Sequence, residues 1–404
     1  MSKAMGVLLL GVLAIGVVGF GQAAVIPRSV DGTLLFDNET GAESIRLGIL
    51  FDGPVTVCSN DVVAVGGEAV TRLDFGPRMA WIDVVVVPGG TLQVSFSGDA
   101  QVHSAYWVSS DLEKNKVLAR WIAETVWNRG DLGVLEGLLA PSFVLHDVAM
   151  IGDLVGIEGY TWFASAGRMG IPDGVFTIHD VFAEDDLVVL RLERNGTQTG
   201  TLMNIPPTGA SVSERAIVIY RISDGLIAEG WMEYDALGLL VQLGQAPAMG
   251  PPLFSWDASS EVTGGIGDPE ENLAIARGIP KAWNERNVAL LDEVLSPDYV
   301  WHGASMTLDL DGYKGYMSQV LAAFPDFRVS FVRTAAEADM VGASCTITGT
   351  HLVDFMGIPA TGVQVTFTGM ILHRLADGKV VESWELSDTY GMLVQLGVIP
   401  PPGD

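Results

Sequence analysis

The spacing of apolar residues changes along the chain and divides it into regions. Residues 4–24 are uncharged and almost continuously apolar. Over residues 25–109, short apolar runs alternate with turns rich in Gly and Asp, which predicts several strands and a small all-β sandwich domain. From Ser110 onward apolar residues recur at helical spacing, and Ser110 with Glu113 forms a capping box that begins the first helix.

The apolar N-terminal segment indicates export. Residues 1–24 combine Lys3, the apolar run and a small-residue exit, which is typical of a secretory signal peptide. The run is also long enough to span a bilayer, so an uncleaved membrane anchor is the alternative. Both alternatives predict an extracytoplasmic protein, which contacts a membrane only through this segment and only if it is retained.

The remainder of the chain is a duplication. Residues 141–146 (PSFVLH) match residues 297–302 (PDYVWH), and the closing segment WMEYDALGLLVQLG at 231–244 matches WELSDTYGMLVQLG at 384–397. From Gly159 on, equivalent positions are 153 apart. A constant offset over so many motifs indicates two homologous domains.

Each copy begins with helices and continues with four strand-like runs separated by turns. This order predicts an α+β fold in which a curved antiparallel sheet folds around the helices and leaves an apolar interior. The predicted domains are residues 110–244 and 268–398. Residues 245–267, rich in Pro and Gly, are predicted to be a linker.

Composition limits the partners of the chain. It has 49 acidic and 22 basic residues in 404, a formal net charge of −27. Nucleic acid is therefore not an expected partner, since phosphate binding needs clustered Lys and Arg. The hydrophobic fraction of 49% excludes an intrinsically disordered chain.

In order and in duplicate, these motifs resemble the SnoaL-like polyketide cyclases, also called ester cyclases, of the NTF2-like superfamily. The resemblance rests on Trp-Asn, the Pro-x-Phe/Tyr-Val-x-His run, Ile-Pro-x-Thr-Gly, Arg-x-x-Asp-Gly and Trp-x-x-x-Asp followed by Val-Gln-Leu-Gly. It implies two tandem cone-shaped α+β barrels after the β-sandwich, with a small hydrophobic molecule as ligand. It also implies a reaction that needs no metal or cofactor. Because NTF2-like domains commonly dimerise through their sheets, we expect the two repeats to form an intrachain pseudo-dimer.

The resemblance places the acid/base carboxylate at the Asp of Trp-x-x-x-Asp, which is Asp235 in the first copy and Asp388 in the second. Alternate residues of a strand share a face, so Trp384, Leu386 and Asp388 are predicted to point together into the cone. Desolvation there raises the pKa of a carboxyl group and makes it a better base near neutrality. The first copy has Glu233 where the second has Leu386, which puts two carboxylates, Glu233 and Asp235, on one strand face.

The first helices of the two copies also differ. The second copy has Pro280 inside this helix where the first has Glu124, so a kink is predicted there.

Further side chains are predicted to line the pockets as substrate-binding groups: His302, His351, Trp384, His146, Trp231 and Glu233. For His146 and His302 the alternative is a structural histidine, and for Trp231 and Trp384 it is core packing. His179 and His373 have no counterpart in the other copy and are predicted to be incidental. The sequence has no recognisable metal-ligand spacing or phosphate-binding loop, and His302 and His351 have no identifiable carboxylate partner at metal-ligand spacing.

Two functions remain open on these observations. The first is an exported SnoaL-like enzyme that acts by general acid/base catalysis on a small apolar substrate with a carbonyl or ester group, by aldol-type cyclisation or related isomerase or hydrolase chemistry. The alternative is a non-catalytic protein that holds a small hydrophobic ligand in its cones at the cell surface.

Overall fold

The structure, a computed structural model, describes residues 28–30, 33–37, 44–51, 62–67, 72–75, 78–95, 102–108, 110–149, 151–246 and 267–400. The predicted leader at residues 1–24 and most of the predicted linker lie outside the described residues. Within the described ranges, no helix is long and apolar enough to cross a membrane.

The N-terminal region is a small β-sandwich. Its strands are β1 (Arg28–Val30), β2 (Thr33–Asp37), β3 (Ser44–Phe51), β4 (Val62–Gly67), β5 (Arg72–Phe75), β6 (Met79–Val94) and β7 (Val102–Val108). The long strand β6 joins the two layers, because Ile82 pairs with β3 and β5 whereas Leu92 pairs with β2 and β4. Side chains from both layers, including Phe36 and Trp107, share one buried cluster.

The first repeat combines helices with a six-stranded sheet. Its elements are α1 (Asp111–Trp121), a π-helical turn (Ile122–Trp127), a 3-10 turn (Leu132–Val134), α2 (Leu135–Leu138), β8 (Leu139–Val148), β9 (Gly152–Val155), α3 (Gly156–Gly170), β10 (Val175–Glu184), β11 (Leu187–Thr197), β12 (Ser211–Ser223), β13 (Leu226–Tyr234) and α4 (Ala236–Gln242). The strand order is β10-β11-β12-β13-β8-β9, in which only the β13–β8 pair is parallel.

The second repeat has the same topology. Its elements are α5 (Pro269–Ala276), α6 (Gly278–Glu285), a 3-10 turn (Val288–Leu290), α7 (Leu291–Val294), β14 (Leu295–His302), β15 (Thr307–Asp309), α8 (Leu310–Ala323), β16 (Arg328–Glu337), β17 (Met340–Thr350), β18 (Gln364–Ala376), β19 (Lys379–Ser387) and α9 (Thr389–Gln395). The order β16-β17-β18-β19-β14-β15 repeats that of the first copy. The predicted fold class, two tandem α+β cones after a β-sandwich, is confirmed.

The duplicated Trp-Asn motif fixes the first helix of each repeat inside its cone. Trp127 Nε1 donates to the Tyr160 hydroxyl at 3.0 Å, and Trp283 Nε1 donates to the Tyr313 hydroxyl at 3.1 Å. The following Asn128 exchanges two hydrogen bonds with the backbone of Phe176, and its equivalent in the second repeat does the same. The motif therefore ties the helical layer to the edge of the sheet through groups that would otherwise be buried without partners.

The first helices of the repeats differ where the sequence predicts a kink. In the first repeat α1 continues into the π-helical turn, whereas the second repeat has a break between α5 and α6. Pro280 lies two residues after the start of α6 and cannot donate the hydrogen bond that would continue α5 past Ala276. The kink predicted at Pro280 thus takes the form of two separate helices.

The two repeats pack through the outer faces of their sheets. We call this apolar contact the seam; it consists of Phe182, Val189, Ile217, Ile219 and Trp231 from the first repeat and Ala335, Met340, Met370, Leu372, Trp384 and Leu386 from the second. The guanidinium of Arg191 lies 4.2 Å from the ring centroid of Trp384, and that of Arg333 lies 3.6 Å from the ring centroid of Trp231. Each repeat thus covers a tryptophan of the other with a cation.

Reciprocal hydrogen bonds also join the ends of the two edge strands, β10 and β16, so the two repeats are related by an approximate twofold axis. Glu337 accepts the Ala183 backbone N–H at 2.7 Å, and the equivalent Glu184 accepts the Ala336 backbone N–H at 3.0 Å. Lys116 of α1 adds an ion pair to Glu337 at 2.6 Å. The reciprocal contacts fix the register of one sheet against the other.

The β-sandwich packs on the first repeat and extends its core. Trp81 lies against Trp121 of α1 with ring centroids 5.3 Å apart, and Tyr106 donates to Glu124 at 2.8 Å. Arg78 forms an ion pair with Asp131. The sandwich therefore packs on α1 and on the two turns that follow it.

Replacing Trp384 with Ala tests the seam. We expect the free energy of unfolding to fall by about 3–5 kcal/mol, because a large buried side chain is lost and the guanidinium of Arg191 loses its aromatic cover. Urea denaturation measures the change. The matched control is Trp162→Ala, a tryptophan that is 57% exposed, which should change stability by about 0.5 kcal/mol or less. Equal effects of the two variants would contradict a stabilising seam.

Candidate functional site

The second repeat encloses a cavity of about 220 Å³ between its sheet and its helices. The lining is mainly aromatic and aliphatic, and it includes Phe324, Phe327, Ile347 and Phe367. Enclosures of this kind bind small molecules chiefly by burying apolar surface, while a few polar groups fix orientation.

A carboxyl group lies within this apolar lining. Glu385 is in β19, and strand alternation directs it to the concave side, opposite to Trp384. Trp301 Nε1 donates to Glu385 Oε2 at 3.1 Å, and the Ser387 hydroxyl donates to Oε1 at 3.3 Å. Both donors are neutral, so they orient the carboxyl group without balancing a negative charge.

The enclosure changes the acidity of this group. Burial raises the pKa of Glu385 above its ordinary value, and the two hydrogen bonds from Trp301 and Ser387 only partly oppose that rise. The accessible part of the side chain faces the cavity, since Glu385 is one of its lining residues. A carboxylate whose pKa is raised is a stronger base than an exposed carboxylate.

A histidine lines the same cavity. His373 of β18 is fully buried, and its Nδ1 lies 2.7 Å from the hydroxyl oxygen of Ser383. Burial lowers the pKa of His373 to about 3, so the imidazole is neutral. The prediction that His373 is incidental is wrong, because pairing in the sheet brings it to the concave side near Glu385.

Tyr316 of α8 supplies a hydroxyl group to the cavity. Its ring stacks on Trp301 with centroids 5.3 Å apart, next to the indole that binds Glu385. Burial, and the charge of Glu385, raise the pKa of Tyr316 further above its ordinary value. The phenol therefore stays protonated and available as a hydrogen-bond donor.

Comparison with known proteins identifies the two repeats. The family model of the SnoaL-like polyketide cyclases matches residues 116–243 and 274–396, which together exceed half of the chain. This chain belongs to the SnoaL-like polyketide cyclase family. The match to two regions confirms the prediction of two tandem copies.

Solved structures resemble single repeats. AclR, a proposed hydroxylase from Streptomyces galilaeus, is 32% identical over 33% of this chain and 89% of its own, with a TM-score of 0.31. IdmH, a proposed polyketide cyclase from Streptomyces antibioticus, is 31% identical over 31% of this chain and 99% of its own, with a TM-score of 0.30. No curated protein matches this chain at a significant level.

The tryptophans of the SnoaL-like closing motif do not line the cavity. Trp384, Leu386 and Trp231 belong to the seam on the outer faces of the sheets. The prediction that Trp384 and Leu386 point into the cone is therefore wrong. The alternation along β19 is as expected, but the inward position is Glu385, one residue away.

Glu233 and Trp231 face a different space. Together with His146 they line a crevice of about 230 Å³ between the repeats, opposite Arg333 and Ser344 of the second repeat. The sequence predicts that Glu233 and Asp235 share the inside of the first cone. In the structure Glu233 faces the crevice instead, because its strand position is on the seam side.

The two equivalent histidines stack on the seam tryptophans. His146 lies on Trp231 with centroids 5.5 Å apart, and His302 lies on Trp384 at 5.7 Å. Each also has a carboxylate partner. His146 Nε2 lies 3.1 Å from Glu229 Oε1, and His302 Nε2 lies 2.8 Å from Glu382 Oε1. They are thus part of the outer sheet surface and are not among the residues that line the cavity.

His351 holds the loop that follows β17. Its Nδ1 lies 3.2 Å from the Thr361 hydroxyl, and its ring stacks on Phe324. In the first repeat the equivalent Gln198 binds backbone carbonyls and Thr208 of the matching loop. The two positions have the same structural task, and His351 is not among the residues that line the cavity.

The motif aspartates begin the last helix of each repeat. Asp388 accepts the backbone N–H of Gly391 at 2.8 Å, and Asp235 accepts that of Gly238 at 2.8 Å. A Cβ at either glycine would collide with the capping carboxylate, which explains the glycine three residues after each aspartate.

Only one of the two aspartates lines the cavity. Asp235 of the first repeat lines the cavity of the second, and its Oδ2 lies 2.7 Å from Arg215. Burial raises the pKa of Asp235, and the positive charge of Arg215 opposes the rise. Asp388 is not among the lining residues, although its neighbours Ser387 and Thr389 are.

Sequence reasoning missed Glu385 and His373. A signal for both is present in the alignment of the repeats, because Met232 and Tyr220 occupy the equivalent positions. A carboxyl or imidazole group that stands where the other repeat has a methionine or a tyrosine is a reason to expect a local function. Among the residues that the structure describes, no group of His, Cys, Asp and Glu side chains is arranged to hold a metal ion.

The buried imidazole predicts a pH dependence of stability. His373 titrates near its ordinary 6.5 in the unfolded chain and at about 3 in the folded protein. As the pH falls below 6.5, the unfolded state takes up a proton that the folded state does not, so stability decreases. This one group should remove about 2 kcal/mol of the free energy of unfolding between about pH 7 and about pH 5.

Urea denaturation of the wild type and of His373→Gln at both pH values measures this contribution. The variant should lose less stability on acidification than the wild type by that amount. An identical loss in both proteins would show that His373 takes up its proton in the folded state.

Proposed function

We propose that the protein is an acid/base catalyst for a small apolar molecule with a carbonyl or ester group, bound in the cavity of the second repeat. The observation that carries the proposal is the Glu385 carboxyl group, which is enclosed in a mainly apolar lining and is bound, among the residues that the structure describes, by the neutral donors Trp301 and Ser387. Membership of the SnoaL-like family supports a cyclase or isomerase reaction that needs no cofactor.

The reaction begins with a proton transfer. The ionised Glu385 removes a proton from the carbon next to the carbonyl group, which leaves an enolate, and the resulting acid returns the proton to the product. In a cyclisation, the enolate carbon attacks a second carbonyl of the same molecule and the alkoxide that forms takes the proton. The hydrogen bonds from Trp301 and Ser387 hold the carboxyl group in one orientation throughout.

The enolate oxygen needs a donor that is in place before the reaction. We assign this role to the Tyr316 hydroxyl, which lines the cavity and lies close enough to Glu385 for the carboxylate charge to raise its pKa. The apolar walls exclude water and so strengthen the hydrogen bond to the developing negative charge.

The family resemblance assigns the acid/base role to Asp388 instead, and Asp235 is its counterpart. Their capping hydrogen bonds account for both aspartates without catalysis, and Asp235 has Arg215 as a counter-ion. Glu385 has no such structural task. We therefore favour Glu385, and one experiment distinguishes the candidates.

The test follows exchange of the α-protons of β-tetralone for deuterium by NMR, a reaction that needs only the enolisation step. Glu385→Gln should slow the enzyme-dependent exchange about 100-fold or more, as expected for loss of a general base. Asp388→Asn should retain the wild-type rate, because Asn also caps a helix. Loss of exchange in Asp388→Asn with full exchange in Glu385→Gln would transfer the role to Asp388.

Stability provides the control for Glu385→Gln. Because burial raises the pKa of Glu385, the wild-type protein loses stability as the pH rises above the pKa of the unfolded carboxyl group. The neutral amide avoids that loss, so the variant should be at least as stable as the wild type at neutral pH. If the wild type binds β-tetralone without exchange, the protein is a ligand carrier, which is the alternative function.

We also infer export from the sequence of residues 1–24, which has the basic start, apolar run and small-residue exit of a signal peptide. Expression of the full chain in its own source, followed by fractionation and N-terminal sequencing, tests this inference. We expect an extracytoplasmic protein that begins near residue 25 or, for an anchor, near residue 1. Recovery from the cytoplasm with an intact N-terminus would contradict it.

A further inference from the structure

The last helix of the first repeat forms part of the cavity wall of the second. Leu237, Gly238 and Val241 of α4 line the cavity, although they precede the second repeat in the chain. Leu237 also packs against the apolar core of the second repeat. The cavity is therefore completed only when the two repeats are in contact.

An ion pair and backbone contacts hold α4 in this place. Asp235 begins the helix and binds Arg215, whose guanidinium donates to the backbone oxygens of Gly303 and Ala304 in the second repeat. Ala304 itself lines the cavity. One buried cluster of charges thus connects the start of α4 to the loop that it faces.

The second repeat makes the equivalent contact with the first, but there a larger side chain fills the space. Helix α9 of the second repeat packs on the core of the first through Tyr390 and Val394, which are equivalent to Leu237 and Val241. Tyr390 is 7% exposed. The helix that enters the first repeat thus carries a tyrosine where the helix that enters the second carries a smaller leucine.

The interior of the first cone is filled by larger side chains as well. Tyr234 occupies the position of Ser387, and its hydroxyl donates to the Ala149 carbonyl at 3.0 Å. The ion pair of Arg194 with Glu214 replaces the apolar pair of Ile347 and Phe367.

The guanidinium of Arg194 extends over the ring of Trp127, 5.4 Å from its centroid. The equivalent tryptophan of the second repeat, Trp283, lines the cavity. In the first repeat, therefore, charged and aromatic side chains take up the space beside this tryptophan that the second repeat leaves open to a ligand.

The chemistry of the two interiors differs in the same direction. Met232 stands in the first repeat where Glu385 stands in the second, and Tyr220 stands where His373 stands. The first cone accordingly lacks the carboxyl group on which the proposed reaction depends.

We propose that, of the two cones, the second holds the ligand site, and that α4 of the first repeat sets the size of the apolar ligand that this site accepts. The first repeat then acts as a fixed wall, with Leu237 and Val241 as the specificity-determining residues. This inference rests on the proposed ligand cavity, but it does not depend on which residue is the base.

Fluorescence titration of the full chain with the neutral apolar probe N-phenyl-α-naphthylamine tests both parts. We expect one probe per chain, and we expect Val241→Trp to weaken its binding about tenfold or more, because an indole displaces ligand volume in a cavity of about 220 Å³. Val394→Trp, the equivalent change toward the first repeat, is the matched control and should leave the affinity unchanged.

A second variant keeps the test valid if Val241→Trp fails to fold. Leu237→Tyr introduces the residue that α9 already carries at the equivalent position and should also weaken the probe. The smaller β-tetralone should still bind to both α4 variants, which shows that the site is intact but narrower. Two probes per chain, or a loss caused by Val394→Trp but not by Val241→Trp, would overturn the proposal.

The result is independent of turnover. If Glu385→Gln still exchanges α-protons, the proposed base is wrong while the binding data stand. If the probe binds twice and Glu385→Gln is inactive, the single-site inference fails while the proposed reaction stands.

Discussion

The packing of the two sheets against each other is the constraint on which the rest of the structure depends. Each cone uses its inner face to enclose its own helices, so its outer face remains apolar and must be covered. The seam covers both outer faces at once, and Arg191 and Arg333 each place a guanidinium on a tryptophan of the other repeat. Because the seam brings the ends of β13 and β19 together, helices α4 and α9 reach across to the opposite repeat.

Because the domain is duplicated, the first cone can be packed for stability while the second keeps a cavity for a ligand. The first cone fills its interior with Tyr234 and the buried ion pair of Arg194, and it also carries the β-sandwich on its helices. The second leaves a cavity and buries the carboxyl group of Glu385 without a cation, which costs stability. The filled interior of the first repeat offsets that cost.

Much of the fold could be predicted from particular residues because their contacts are local or duplicated. The tryptophan of the Trp-Asn motif binds an equivalent tyrosine in each repeat. Asp235 and Asp388 each cap a helix by accepting the N–H of a glycine three residues later, where a side chain would not fit. The functional site was harder to predict. The closing motif predicts that Trp384 and Asp388 face one pocket. In the structure Trp384 lies on the seam, and Glu385 lines the cavity instead.

The sequence by itself determined the number of repeats, their α+β class and the alternation of side chains along each strand, because periodicity and internal repetition are properties of the chain. It did not determine which face of a strand is inside. The more apolar face of β19, with Trp384 and Leu386, is covered by the seam, whereas the face with Glu385 and Ser387 lines the cone, so hydrophobicity does not show which face is inside. Only the tertiary structure decided that Glu385 faces the cavity, and that α4, distant in sequence, completes its wall.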